Sequence, residues 1–230
     1  MPALADFAVT RLWPPRRPDA VQIYAAGTPN GRKVPIACEE MGLAYDAHRL
    51  DLGADDQHRP EYRAISPNGK IPAIIDPQTP EGAIAVADSG AILIHLAERT
   101  GMFLPAAGAA RAETLSWLMF QIGHVGPMFG QLGWFRGPTG REIADPRPRR
   151  RYADEVRRLL GVMETALDGR DWIAGPYSIA DIAICPWLRG LRDFQKAGDE
   201  VGWAAHPRVD AWLERFLVRP AVQRGIAEPS

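Results

Sequence analysis

The chain has 230 residues, of which 46% are hydrophobic and 24% are charged, and its formal net charge is −1. This composition is typical of a globular protein, and the balanced charge argues against nucleic acid or an anionic membrane as a partner. No run reaches the ~18 apolar residues that span a bilayer, and no signal peptide is evident before Trp13. Two cysteines without a C-x-x-C pair favour a reducing compartment, and five histidines without metal-ligand spacing favour no metal. We therefore expect a cytoplasmic protein.

The first part of the chain predicts a compact α/β unit. Within a predicted arm at 1–19, the stretch at 13–18 is too proline-rich to enter a helix or a central strand. Beyond it, turn residues and apolar spacing predict alternating elements. In chain order these are a strand at 21–24, a helix at 34–41 with Pro35 in its first turn, a strand at 45–52, a hairpin of strands at 71–75 and 84–87, and a helix at 89–99. The order is β-α-β followed by β-β-α.

From about Gly101 the pattern becomes entirely helical. Three segments carry one apolar face each at helical spacing, namely 115–122, 156–167 and 209–217. Ser178 and Asp181 form a capping box that predicts a helix start, is worth about 1 kcal/mol and carries no chemistry. The predicted domains are an arm at 1–19, an α/β domain at 20–101, a linker at 102–107 and a helical domain at 108–230.

Thr28 and Asn30 lie where the first predicted strand gives way to a helix. A hydroxyl and a carboxamide at a helix N-terminus can donate hydrogen bonds to an anion, and the helix dipole favours negative charge there. The same two residues are equally suited to capping the helix and nothing more. Both interpretations stay open on the residues alone.

Two further segments lie at predicted strand and helix ends. A cis bond between Ile71 and Pro72 would turn the Ile71 backbone outward toward a peptide-like ligand, whereas Lys70 is equally an ordinary solvated charge. Asp88 and Ser89, at the start of the next helix, offer an acidic group beside a helix N-terminus. An α-amino-acid head group needs that combination, although a simple N-cap is the alternative.

Taken together, these segments resemble the glutathione transferase superfamily, and within it the bacterial Nu-class branch that is related to fungal prion-type nitrogen regulators. The stretches that carry the resemblance are residues 28–33, 59–62, 65–74, 88–93, 121–131 and 177–181. The resemblance implies a thioredoxin-like α/β N-terminal domain followed by an all-α helical C-terminal domain. It also implies a homodimer that uses glutathione as its cosubstrate.

The same resemblance implies roles for individual residues. Thr28 and Asn30 match the positions that hold the glutathione sulfur. Ile71, before a cis Pro72, matches the backbone partner of the cysteinyl unit. The remaining matches are Asp88 and Ser89 at the γ-glutamyl unit, Gln57, Lys70 and Arg151 at glutathione carboxylates or a second glutathione, and Phe129, Trp134 and Phe135 at the second substrate.

The expected chemistry depends on the pKa of the glutathione thiol. A free thiol has a pKa of about 8.5, and only the thiolate is a competent nucleophile. Two charge-assisted hydrogen bonds at roughly 1.5–3 kcal/mol each suffice to lower that pKa by about two units. Thr28 and Asn30 can supply these bonds, and Tyr24, at the end of the first strand, is the rival donor.

Because residues 25–33 contain no cysteine, glutathione itself would be the nucleophile. We therefore expect glutathione-dependent disulfide reduction, with weak conjugation activity. The alternatives are conjugation or lyase chemistry on an aromatic electrophile, favoured by Trp134 and Phe135, and a non-catalytic glutathione-binding regulatory protein.

Overall fold

The computed structural model describes residues 1–229, which fold into two compact units. The first comprises Met1–Met102 and the segment from Arg219 onward, and the second comprises Phe103–Val218. The strands are β1 Val21–Ala25, β2 Tyr45–Arg49, β3 Ala73–Thr79 and β4 Gly82–Ala87. The helices are α1 Val9–Leu12, α2 Pro29–Met41, α3 Pro60–Arg63, α4 Ser89–Thr100, α5 Gly108–Phe120, α6 Gly126–Arg136, α7 Arg147–Ala166, α8 Ile179–Arg189, α9 Gly198–Val201, α10 Pro207–Leu217 and α11 Pro220–Ala227.

Within the described residues the first unit holds one sheet with the strand order β2-β1-β3-β4. β1 runs parallel to β2 and antiparallel to β3, so that Ile23 lies opposite Ala47 on one side and Ile74 on the other. β3 and β4 form an antiparallel hairpin. All five residues of β1 are buried, as a central strand covered on both faces requires. The β-α-β and β-β-α order expected from the sequence is thus confirmed.

Helix α2 begins earlier than the apolar spacing predicts. It starts at Pro29 because Thr28 has extended backbone angles and caps the first turn with its side chain. Pro35 therefore lies in the helix interior, and its predicted place in the first turn is wrong. β2 also ends sooner than predicted, because the Asp51 carboxylate turns the chain by accepting hydrogen bonds from the backbone N–H groups of Gly53 and Ala54.

The N-terminal segment packs on the first unit. Val9 is fully buried and belongs to the same apolar cluster as Tyr24, with Trp13 packed against it. The Arg16 guanidinium and backbone N–H both donate to the carboxylate of Asp46 on β2, at 2.6–2.9 Å. The segment therefore covers one face of the sheet, a role that its proline content does not reveal.

The last helix, α11, packs against α2. A Cβ added to Gly225 would lie 2.5 Å from the Ile36 Cα atom, so the two helix backbones are in close contact. The Arg219 guanidinium donates two hydrogen bonds, of 2.6 and 2.7 Å, to the Glu40 carboxylate. These contacts join α11 to the helix that follows β1.

The second unit is helical, and its best-defined helix start is that of α8. The Ser178 Oγ atom accepts a hydrogen bond from the Ala180 N–H at 3.2 Å, and the Asp181 carboxylate accepts one from the Ser178 N–H at 2.8 Å. The predicted capping box is thus confirmed. Asp181 is fully buried and also accepts hydrogen bonds from the Ile173 N–H and the Trp212 indole N–H. Across residues 1–229, none of the helices has the length and apolar content to cross a membrane.

We expect Gly225→Ala to lower the free energy of unfolding by about 1–3 kcal/mol, because its Cβ would overlap the backbone of α2. Urea unfolding followed by circular dichroism measures the change. Gly123→Ala is the matched control, since a Cβ there would meet nothing within 4 Å in the described part of the chain. Equal stabilities for the two variants would contradict the close contact between α11 and α2.

Candidate active site

Thr28 caps the N-terminus of α2, directly after β1. Its Oγ atom accepts a hydrogen bond of 3.1 Å from the backbone N–H of Gly31. A hydroxyl that accepts a bond in this way still has its own proton to donate. Capping the helix and donating to a ligand are therefore compatible roles for one side chain, although the sequence presents them as alternatives.

Gly31 permits this arrangement. Its Cα lies so close to the carbonyl of Ala26 that any Cβ would overlap the carbonyl oxygen. The first turn of α2 consequently packs against the end of β1 and its loop. Thr28 and Asn30 are both partly exposed there, at the end of the helix where the dipole favours negative charge.

Tyr24, the rival donor, is fully buried in the cluster beneath the N-terminal segment. Its ring stacks on the His48 ring with a centroid distance of 4.8 Å. Among the residues that the structure describes, its hydroxyl has no hydrogen-bond partner. Burial, with a smaller contribution from Asp46, raises the pKa of the phenol well above its ordinary value. A ligand outside this core has no access to that hydroxyl.

The segment before β3 is anchored through one backbone carbonyl. The hydroxyls of Tyr62 and Ser66 both donate to the Lys70 carbonyl oxygen, each at 2.8 Å. The following Ile71–Pro72 peptide bond is cis. The paired register of β3 begins at Ala73, so Ile71 lies just outside the ladder. The Lys70 side chain is exposed.

Asp88 and Ser89 form the start of α4. Asp88 has φ 72° and ψ 128°, a conformation that costs a non-glycine residue roughly 1–3 kcal/mol. Its carboxylate accepts a hydrogen bond of 2.9 Å from the Gly90 N–H and so caps the helix, while the residue itself is exposed. Ser89, by contrast, is nearly fully buried. The strained backbone of Asp88 and its hydrogen bond from the Gly90 N–H together orient the first turn of α4.

Lys33 is a buried residue beside these helix starts to which sequence reasoning assigned no role. It lies on α2, is fully buried, and its ammonium donates a hydrogen bond of 3.0 Å to the Ser89 hydroxyl oxygen. Burial lowers the pKa of Lys33 to about 7, and the charge of Asp88 opposes that shift. Lys33 lies on α2, five residues after Thr28, and its hydrogen bond to Ser89 connects α2 to the start of α4. Only its rarity among the chain's 27 basic residues, most of them arginines, could have marked it out.

Gln57 lies partly buried in the loop between β2 and α3. Its side-chain amide donates a long hydrogen bond of 3.3 Å to Asp55. Its carbonyl oxygen is buried and has no hydrogen-bond partner among the described residues. The described residues thus leave one polar atom of this loop unsatisfied.

The second unit holds the other residues singled out from the sequence. Arg151 is exposed on α7. Trp134 is 49% exposed and meets Phe135 edge-on, and Phe135 stacks on Tyr152. Phe129 is fully buried in the core of this unit, which leaves no side-chain surface for a substrate. Within residues 1–229, no three His, Cys, Asp or Glu side chains gather as a metal ion would require.

Comparisons with known proteins match both units. The family model described as the glutathione S-transferase N-terminal domain matches residues 28–99, and the model for the C-terminal domain matches residues 149–220. The disulfide-bond oxidoreductase YfcG of Escherichia coli K12 is 40% identical over 209 residues, covering 90% of this chain and 94% of that protein.

Two solved structures are similar over nearly the whole chain. A glutathione transferase from Pseudomonas putida, with one glutathione disulfide bound per subunit, has a TM-score of 0.97 at 49% identity and covers 100% of both chains. A glutathione transferase family member from Pseudomonas fluorescens Pf-5, with two glutathione molecules bound, has a TM-score of 0.94 at 51% identity. That comparison covers 96% of this chain and 98% of the other.

We expect Tyr24→Phe to raise the free energy of unfolding by roughly 1 kcal/mol, because it removes a buried hydroxyl that lacks a partner and keeps the ring. Urea unfolding measures the change. A loss of stability of similar size would mean that the hydroxyl forms a stabilising bond that the described residues do not account for.

Proposed function

The chain belongs to the glutathione transferase superfamily, and on that premise we propose that it is an enzyme for glutathione-dependent disulfide reduction. Two observations support the choice of reaction. A relative that covers most of the chain is named a disulfide-bond oxidoreductase, and a similar solved structure holds glutathione disulfide, a product expected of such a reaction. The observation that carries the proposal is the Thr28 hydroxyl, which caps α2 with its oxygen and keeps its proton for a ligand.

In this proposal Thr28 and Asn30 bind the glutathione sulfur as a thiolate. Their hydroxyl and carboxamide would donate to the sulfur, and the N-terminus of α2 would add about 0.3–1 kcal/mol of electrostatic stabilisation. Neither donor titrates near neutral pH, so the thiolate would form without a protein base held at the sulfur.

The rest of the glutathione molecule would bind along the segments that follow. The Ile71 backbone would pair with the cysteinyl unit beside Pro72, and Asp88 and Ser89 would bind the γ-glutamyl ammonium and carboxylate. The exposed side chain of Asp88 and the anchored carbonyl of Lys70 support this placement. Further contacts to glutathione are proposed for Gln57, Lys70 and Arg151.

The reaction is a thiol–disulfide exchange. The glutathione thiolate attacks the glutathione sulfur of a mixed disulfide, a sulfur–sulfur bond forms to give glutathione disulfide, and the bond to the other sulfur breaks. The electron pair leaves with that second sulfur as a thiolate, which then takes a proton from water. Both cysteines of the described residues are buried, which supports glutathione as the attacking thiol.

A second candidate function is conjugation or lyase chemistry on an aromatic electrophile. The 49% exposure of Trp134, beside Phe135, favours it because these rings offer an apolar surface to an aromatic substrate. A non-catalytic glutathione-binding role is the remaining alternative. Turnover of a mixed disulfide in an assay coupled to glutathione reductase, compared with turnover of an aryl halide, separates the three.

We also propose a cytoplasmic location and a homodimeric state. The unpaired state of Cys38 and Cys185 within the described residues supports a reducing compartment. Sedimentation of the native protein tests the dimer, and cell fractionation tests the location.

We expect the thiol of bound glutathione to have its pKa lowered by about two units, to roughly 6.5, because two donors and a helix end stabilise the thiolate. Titration of the thiolate absorbance near 240 nm measures this value. A bound thiol with an unshifted pKa would contradict the proposed mechanism even though the fold remains that of the family.

We expect Thr28→Val to lower turnover of a mixed disulfide by about 10²-fold or more, because one donor to the thiolate is lost, at roughly 2.7 kcal/mol. Thr28→Ser should keep most of the activity, since it retains the hydroxyl. Tyr24→Phe is the matched control, because its hydroxyl is buried away from the loop. Unchanged activity in Thr28→Val together with loss in Tyr24→Phe would assign the sulfur to tyrosine instead.

A further inference from the structure

Lys33 carries a buried charge that the proposed sulfur chemistry does not use. The chain has three lysines, Lys33, Lys70 and Lys196, and both Lys70 and Lys196 are exposed. The side chain of Lys33 is instead fully buried. An ammonium group in such a place loses its hydration, and a methionine of similar length would fill the same space without that cost. The cost of burying the Lys33 ammonium therefore indicates that this residue has a function besides packing.

The contact of Lys33 indicates what that function is. Its ammonium donates to the Ser89 hydroxyl oxygen at 3.0 Å, so the Ser89 hydroxyl has its own proton to direct to another acceptor. A donor that itself accepts from a cation is polarised and binds an anion more strongly. Ser89 is also the first residue of α4, where the helix dipole has the same positive sign.

Asp88 contributes the opposite charge at this site. Its negative charge, at the N-cap of α4, raises the pKa of the Lys33 ammonium, while burial has the larger, lowering effect. Its own side chain is exposed and caps α4 by accepting from the Gly90 N–H. An acidic group at the surface and a buried cation behind Ser89 match the two charges of an α-amino-acid head group, an ammonium and a carboxylate.

We propose that Lys33 is a positioning residue for the α-carboxylate of the γ-glutamyl unit, on which it acts through the Ser89 hydroxyl. The inference rests on the proposed function, because it takes glutathione as the ligand. Lys33 is fully buried and does not itself touch the ligand in this assignment. It polarises the Ser89 hydroxyl, and its positive charge attracts the bound carboxylate.

Two ligands and the variant Lys33→Met test this role by isothermal titration calorimetry. The first ligand is glutathione, and the second is 4-aminobutyryl-cysteinyl-glycine, which lacks only the α-carboxylate. We expect the wild-type protein to prefer glutathione by at least tenfold. Lys33→Met should lose that preference, with glutathione binding at least tenfold more weakly and the analogue within twofold of its wild-type affinity.

A structural role and an electrostatic role of Lys33 predict different affinities for the two ligands. Equal weakening of both ligands, or an unchanged preference for glutathione, would overturn the inference. Lys33→Gln is the second variant, because an amide keeps an N–H donor for Ser89 and loses the charge. It should lose the preference too, and retention of the preference would overturn the assignment to charge. Lys196→Met, an exposed lysine in the second unit, is the matched control and should bind both ligands as the wild type does.

Stability adds an independent readout. Removal of a buried charge that serves only the ligand should leave the urea midpoint of unliganded Lys33→Met equal to or above that of the wild type. A clearly lower midpoint would indicate a structural role and overturn the inference. Wild-type protein that binds neither ligand would overturn the proposed function as well, whereas glutathione binding with no difference between the variants would overturn the role of Lys33 alone.

Discussion

The close approach of Gly31 to the carbonyl of Ala26 is the constraint on which the candidate site depends. No other residue type fits there, because even one methyl group would overlap the backbone that follows β1. With α2 packed so near the strand, the Thr28 hydroxyl oxygen reaches the Gly31 N–H, and the helix begins where its dipole meets the loop. The cap and the start of the helix thus both lie at a contact that only glycine permits.

Helix α2 also contacts other helices of the first unit. Lys33 connects it to the start of α4 through Ser89, and Gly225 brings α11 against its Ile36. The proposed sulfur site and the proposed γ-glutamyl site are therefore joined by one rigid element and not by two independent loops. Sites built on such elements hold their geometry better than sites built on loops.

Much of this arrangement could be predicted from the sequence, and the reasons for the exceptions are physical. The strand and helix order follows from local apolar spacing, and the α8 start follows from the capping box at Ser178 and Asp181. The position of Pro35 in the interior of α2 could not be predicted this way. The start of that helix depends on the Gly31 contact, which apolar spacing does not encode. Lys33 was missed for a similar reason. A lysine is ordinarily solvated, and only the fold reveals that this one is enclosed.

The packing of α11 on α2 has a consequence for the order of events during synthesis. A ribosome makes α11 only after α2 and the whole of the second unit. Until then the surface around Ile36 lacks the helix that covers it in the finished protein. The part of the first unit that precedes Phe103 is therefore synthesised well before the helix that packs on its α2.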